Sequence, residues 1–541
     1  MRRFVSLPST ALVSCAFVLA LSAVAGACNG GSGGAAPSDA GSDASEAGQC
    51  VTPAPEDNDG GGGAPADGGG PPPLPDGGGL GGGDGGGPGP LDGGGSTEAG
   101  VCQIASGGTG CATETDDPAI PTNPEAIAIT TQKLGTNGRF CESCHSVTQT
   151  WSLNPTDAMT RFDNGGTGGG VPNATATSND QLDALFRTND GTTSPNADVS
   201  TPSARRTAYS MLLTKAVFRV GLPVPDGAEF KLVAVDDPYG FASAKELSLF
   251  RRTLPVINLR FETTVMWDGR ETQACAPLSA DLKSQANDAT VGHAQASAPV
   301  PDHTLQAIYD REIGIYATQA VDSVAGPLDE SGALGGSANV TRLPFYVGMN
   351  AFPGPDPRGA AFNPVAFTLY DAWGSLPATD PRAPARAAVA RGQALFNTRT
   401  FTIKGVSGLN DVLGSDTIQG TCTSCHNTPN VGGNSEGRLF NTGMSDEARR
   451  TPDLPLYTLA NNVTGEVIKT SDPGRALITG KWADIGRFKV PSLRALGSHP
   501  PYFHNGSAAS IADVVTADDA RFSIGLTDAE KSDLTAFLGA L

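Results

Sequence analysis

Between residues 29 and 118 the chain has no Lys or Arg, against 14 acidic residues. Histidine is scarce: six in 541 residues, with none between His145 and His293. The apolar run 11–25 is short for a membrane span. The missing basic residues argue against nucleic-acid binding. The net charge is −20. Removing the −14 of this segment and the +2 of Arg2 and Arg3 leaves −8 for residues 119–541, so the acidity mainly solvates the early segment.

That segment is rich in Gly, Pro, Ser and Asp. A stretch such as Gly77-Gly78-Gly79-Leu80-Gly81-Gly82-Gly83 buries nothing, so residues 28–118 read as a disordered tether. Ahead of it, Arg2, Arg3, the apolar run and Ala25-Gly26-Ala27-Cys28 read as an export signal covering 1–27. Small residues before a Cys resemble bacterial lipoprotein signals, and the long tether that follows favours a lipid anchor on Cys28. Ala25 stands where such signals carry Leu, and simple cleavage after Ala27 also satisfies the pattern. The expected location is the periplasm or cell envelope. Cys15 leaves with the signal. Cys102 and Cys111 flank a Gly-rich loop suited to a local disulfide, and the states of Cys50 and Cys275 stay open.

Two pentapeptides carry chemistry: Cys141-Glu142-Ser143-Cys144-His145 and Cys422-Thr423-Ser424-Cys425-His426. Both read Cys-x-x-Cys-His, the attachment signature of c-type haem. On a helical turn, positions i and i+3 share a face, so both thiols reach one porphyrin. The adjacent His145 or His426 then presents its imidazole to the iron. A thioredoxin-like redox pair leaves both histidines unexplained. A zinc site needs the four cysteines together, yet each pair has its own His.

Local patterns suggest helices. Ala385–Phe396 puts Val389 and Phe396 on one face. Leu526–Leu541 opens with Thr527 as N-cap and Glu530 three residues on, a capping box, followed by a stripe of Leu534, Phe537, Leu538 and Leu541. The expected fold is mainly α: two cytochrome c-like helical domains, 119–378 and 379–541, each with one covalent haem.

Three further segments resemble the bacterial di-haem cytochrome c peroxidase and MauG family. They are Arg251–Arg270, ending in Trp-Asp-Gly-Arg; Arg391–Phe396 with the later Phe440-Asn441-Thr442-Gly443; and Phe488–Val515, with its Phe-Lys-x-Pro-Ser-Leu-Arg and Pro-Tyr-x-His-x-Gly elements. The resemblance covers about 140–541. It implies that the N-terminal haem meets hydrogen peroxide and the C-terminal haem takes electrons from a small periplasmic donor, a cytochrome c or cupredoxin. It makes Trp267 an electron relay and Arg270 a structural or propionate-pairing cation, with Asp268 capping a turn. It implies a calcium ion between the domains, held partly by the carbonyls of His499 and Pro501. Family members often form homodimers.

Departures from the family bear on function. Its peroxidatic haem is served by a Glu; here Gln295 stands at that position and His293 two residues before. Gln takes no proton at neutral pH, but His does, so His293 is the candidate base. With no His between His145 and His293, the first haem is expected to keep an open position. The second haem's distal Met or Tyr is replaced by Asp518, and Met444 is a candidate substitute. The leading expectation is a peroxidase reducing hydrogen peroxide to water. The alternatives are MauG-like oxidation of a protein or organic substrate through a ferryl haem, and a non-catalytic electron-transfer cytochrome.

Overall fold

Two aromatic cores, drawn from opposite ends of the chain, organise the protein. The computed structural model describes residues 110–541 apart from 119, 121–123, 167–168 and 188–192. The signal, Cys15, Cys28, Cys50, Cys102 and most of the tether lie outside the described residues. The described residues fall within one compact unit, Pro71–Leu541.

The first core packs Phe162, Phe186 and Tyr209 edge-to-face, with centroids 4.9 and 5.3 Å apart, against Leu153, Leu185 and Leu212. Phe162 rides on the helix Pro155–Asn164. That helix starts where it does because the Asn154 side chain accepts the Asp157 amide and Pro155 takes the first turn.

The second core is Phe367, Phe396 and Phe537, with centroids 5.3 to 5.6 Å apart. Phe396 lies on the helix Ala383–Thr398 and Phe537 on Asp528–Gly539. The expected capping box forms: Thr527 Oγ1 accepts the Glu530 amide and Glu530 Oε2 accepts the Thr527 amide. The two helices cross at Gly392, where a Cβ would run into the Asp533 carbonyl. Arg391 forks onto the Asp533 carboxylate at 2.7 Å beside the crossing.

Helices share the structure with several small antiparallel sheets. Strand Phe230–Asp236 pairs with Leu456–Asn461, which pairs with Val467–Thr470, so strands from both sides of residue 378 form one sheet. The C-terminus is also tied inward: the Leu541 carbonyl accepts the amides of Ala495 and Gln319.

The expected tether ends earlier than composition suggests. Gly110–Asp116 is a strand paired with Ile315–Asp322. Side chains hold it: Glu114 accepts from the Trp151 indole, and Arg311 bridges Glu114 and Asp116. Cys111, on this strand, and Cys275 are both disulfide-bonded.

Candidate functional site

The two Cys-x-x-Cys-His segments adopt the same local structure. Cys141–Ser143 and Cys422–Ser424 are single 3-10 turns, tighter than an α-helical turn. In each, the serine hydroxyl accepts the amide just before the first Cys: Phe140 to Ser143 at 3.1 Å, Thr421 to Ser424 at 3.0 Å. In each, the His amide donates to the first Cys carbonyl, at 3.0 and 3.1 Å. The Nδ1 of each His meets a carbonyl six residues on: Trp151 at 3.3 Å for His145, Gly432 at 2.5 Å for His426. That contact orients each ring, and His145 has a second backbone partner in Leu254.

The electrostatics suit neutral imidazole ligation. Neither pair is closed as a disulfide. Burial pushes the thiols of Cys141, Cys422 and Cys425 up to about 12, so they are not standing thiolates. Burial pulls His145 down to about 4 and lowers His426 likewise, so both are neutral at physiological pH.

Orphaned polar groups test whether haem fits. Arg494 is 2% exposed, and all three guanidinium nitrogens lack a protein hydrogen-bond partner. It sits beside Tyr370 of the second core, and burial lowers it to about 10. A buried unpaired guanidinium is costly unless an anion meets it; a haem propionate supplies one. On the other side Glu312 lies beside Cys141 with Oε2 unpartnered, and burial raises it to about 8. Asp518, next to both cysteines of the second motif, is raised to about 6 by burial, against the pull of Arg449 and Arg521. The donor set and these orphans fit one haem at each motif.

Parts of the three family-like segments meet around Trp267 and Phe488. Trp267 donates its indole N–H to the Arg252 carbonyl at 2.8 Å and faces His504 edge-on, 6.4 Å away. His504 stacks on Phe488 at 4.0 Å. The Lys489 amide binds the Trp267 carbonyl, and Lys489 Nζ reaches Glu262 at 2.7 Å. Phe488–Lys489 in turn pairs with Leu439–Phe440. Arg251 anchors this centre, fully buried between Asp268 at 2.5 Å and Asp472 at 2.7 and 2.9 Å. Burial raises the Asp268 carboxyl, but the Arg251 and Arg270 cations outweigh it and hold Asp268 near 2. Asp268 also accepts the Arg270 amide, so it caps the expected turn, but its main partner is Arg251.

His293 follows the helix Leu278–Gly292 and, with Arg270, Met266 and Gln285, lines a cavity of about 310 Å³. His293 is exposed, yet close enough to His145 to disfavour a second positive charge there. Its carbonyl accepts from Asn137 and Arg139, in the loop that leads into the first haem motif. Gln295 does not line that cavity. It has a positive φ, and its carbonyl accepts from Thr136. Met444 is buried, and Arg521, on the same helix as Asp518, reaches the neighbouring Thr442 carbonyl.

Sequence reasoning passed over Glu312 and Arg494. A signal existed for Glu312: Thr304 and Ile308 mark the buried face of the helix Asp302–Gly314 at a spacing of four, and Glu312 is next. Arg494 closes the Phe-Lys-x-Pro-Ser-Leu-Arg element.

No family model matches the chain. Over 138 residues it is 33% identical to the cytochrome-c peroxidase IdrP2 of Denitromonas iodatirespirans, covering 23% of this chain and 37% of that relative. Over 146 residues it is 31% identical to the cytochrome c551 peroxidase of Nitrosomonas europaea, covering 26% and 37%. The match thus spans a little over a third of each curated relative. A solved MauG-like protein associated with microbial copper homeostasis aligns with 58% of this chain and 77% of its own at 18% identity, TM-score 0.29. The matched stretch is similar to the cytochrome-c peroxidases, as are the three segments and the two haem motifs.

Proposed function

We propose that this protein is a di-haem c oxidoreductase that reduces hydrogen peroxide to water with electrons from a small periplasmic donor. The observation that carries the proposal is the repeated attachment geometry at Cys141–His145 and Cys422–His426. Residues 119–378 and 379–541 each hold one haem, the first peroxidatic and the second electron-accepting. Bound haem supplies the redox-active iron where peroxide reacts and electrons are stored.

The chain's own residues do the rest. Cys141, Cys144, Cys422 and Cys425 fix the groups covalently. The Trp151 and Gly432 carbonyls orient His145 and His426. Breaking peroxide's O–O bond to give water needs a proton moved from one oxygen to the other. His293, at the cavity wall, takes it at an imidazole nitrogen and returns it. Arg270 holds a positive charge at the same cavity, and Gln295 shapes the loop through its backbone. Trp267 bridges the halves as the electron relay, kept rigid by Arg251, Asp268 and Asp472. The protein works in the cell envelope, anchored through Cys28. Among the described residues no helix is long and apolar enough to cross a membrane.

The test is peroxide turnover by the matured protein with a reduced cytochrome c or cupredoxin, alongside haem content. Two haems per chain and donor-dependent peroxide loss are expected. Consumption of reduced donor that ignores peroxide would leave an electron-transfer cytochrome; long-lived oxidation without a donor would favour MauG-like chemistry.

A further inference from the structure

Arg251 and Arg252 end the strand Leu247–Arg252, and neighbours on a strand point to opposite faces. Arg251 meets the carboxylates of Asp268 and Asp472. Arg252 meets none. It is 6% exposed, and its guanidinium donates to backbone carbonyls alone: Nη1 to Leu153 at 2.8 Å and to Lys215 and Ala216 at 3.3 Å, Nη2 to His499 at 3.1 Å. Burial pulls its pKa down to about 10, which still leaves a full cation at neutral pH.

Oxygen atoms converging on a buried charge are how a chain holds a hard metal cation. Here three of the carbonyls come from the N-terminal half and one from the C-terminal half. The His499 carbonyl is one of the two that family resemblance offers to calcium, and the guanidinium already takes it. The residues present therefore do not fit that ion. We infer that Arg252 is a built-in cation occupying the carbonyl cage between the halves, so that this chain binds no calcium there.

The same residue extends the cage to the relay. The Arg252 amide donates to the His504 carbonyl at 2.6 Å, and its own carbonyl accepts the Trp267 indole. A tethered guanidinium neither dissociates nor yields to a chelator, so Trp267 is positioned whatever the metal supply. The inference does not depend on what the haems catalyse.

The experiment uses the full haem-loaded chain, dialysed against EGTA, with calcium content by elemental mass spectrometry and melting temperature with and without added calcium chloride. Wild type is expected to carry substoichiometric calcium and to melt identically in EGTA and in calcium. Arg252→Asn, which empties the cage and adds an amide oxygen, is expected to melt lower and to regain stability with calcium but not magnesium. Arg252→Lys keeps the charge and is expected to fold without responding to calcium, which guards against a collapse of Arg252→Asn. One retained calcium per wild-type chain, whose removal by EGTA lowers the melting temperature, overturns the inference. So does a folded Arg252→Asn that ignores calcium.

Discussion

The indole N–H of Trp267 donates to the Arg252 carbonyl at 2.8 Å, and the two residues sit where both halves of the chain meet. A merely structural tryptophan and an electron relay make different predictions there. Trp267→Phe loses one buried hydrogen bond, worth about 1 kcal/mol of stability. Donor-driven turnover is expected to fall at least about tenfold, with haem content unchanged. Pre-steady-state electron transfer between the haems is the measurement. Unchanged transfer in a folded Trp267→Phe would reduce Trp267 to packing.

His293→Ala is expected to slow the reaction with peroxide on the order of 100-fold, the usual worth of a positioned acid–base group. Both haems should stay attached, because His293 ties the attachment loop through its carbonyl, which alanine keeps. Gln295→Ala should leave the rate nearly untouched for the same reason. Rapid mixing with peroxide separates the two. Equal losses in both variants would mean that the loop, and not the imidazole, matters.

Asp268→Asn leaves Arg251 buried with one carboxylate partner in place of two. Removing one member of a buried ion pair typically costs about 3–5 kcal/mol. Chemical denaturation should show a loss of that order. A loss within experimental error would mean that water or backbone satisfies Arg251 without Asp268.

Acid should destabilise the centre through His504. Burial lowers it from 6.5 to about 4, so the folded state binds the proton more weakly than the unfolded chain. The contribution is complete above pH 6.5 and is lost as pH falls through 4; the shift corresponds to roughly 3 kcal/mol. Asp518 has the opposite sign. Burial raises it to about 6, so its contribution is complete below its unfolded value of 3.8 and is lost as pH rises through 6. Melting curves from pH 4 to 8 should flatten at the acid end for His504→Gln and rise above wild type at neutral pH for Asp518→Asn.

Local chemistry made part of this legible. The haem motifs, the Thr527–Glu530 box and the helix bearing Val389 and Phe396 depend on residues within a few turns of each other. Other features depend on distant partners. Gly110–Asp116 has the composition of a tether and becomes a strand because Ile315–Asp322, Trp151 and Arg311 meet it. The pair Arg251-Arg252 reads as a doubled charge. Only the strand's alternation sends one guanidinium to carboxylates and the next to carbonyls. His293 and Arg270 are 23 residues apart, and no periodicity brings them to one cavity.

The most direct test of the central claim is a stopped-flow absorption spectrum of the fully oxidised, haem-loaded protein mixed with hydrogen peroxide in the absence of donor. A fast change in the haem bands, slowed in His293→Ala, is the predicted result. Bands that stay unchanged, and stay so after reduction by one electron, would contradict a peroxide-reactive haem at His145 and leave a cytochrome that only carries electrons.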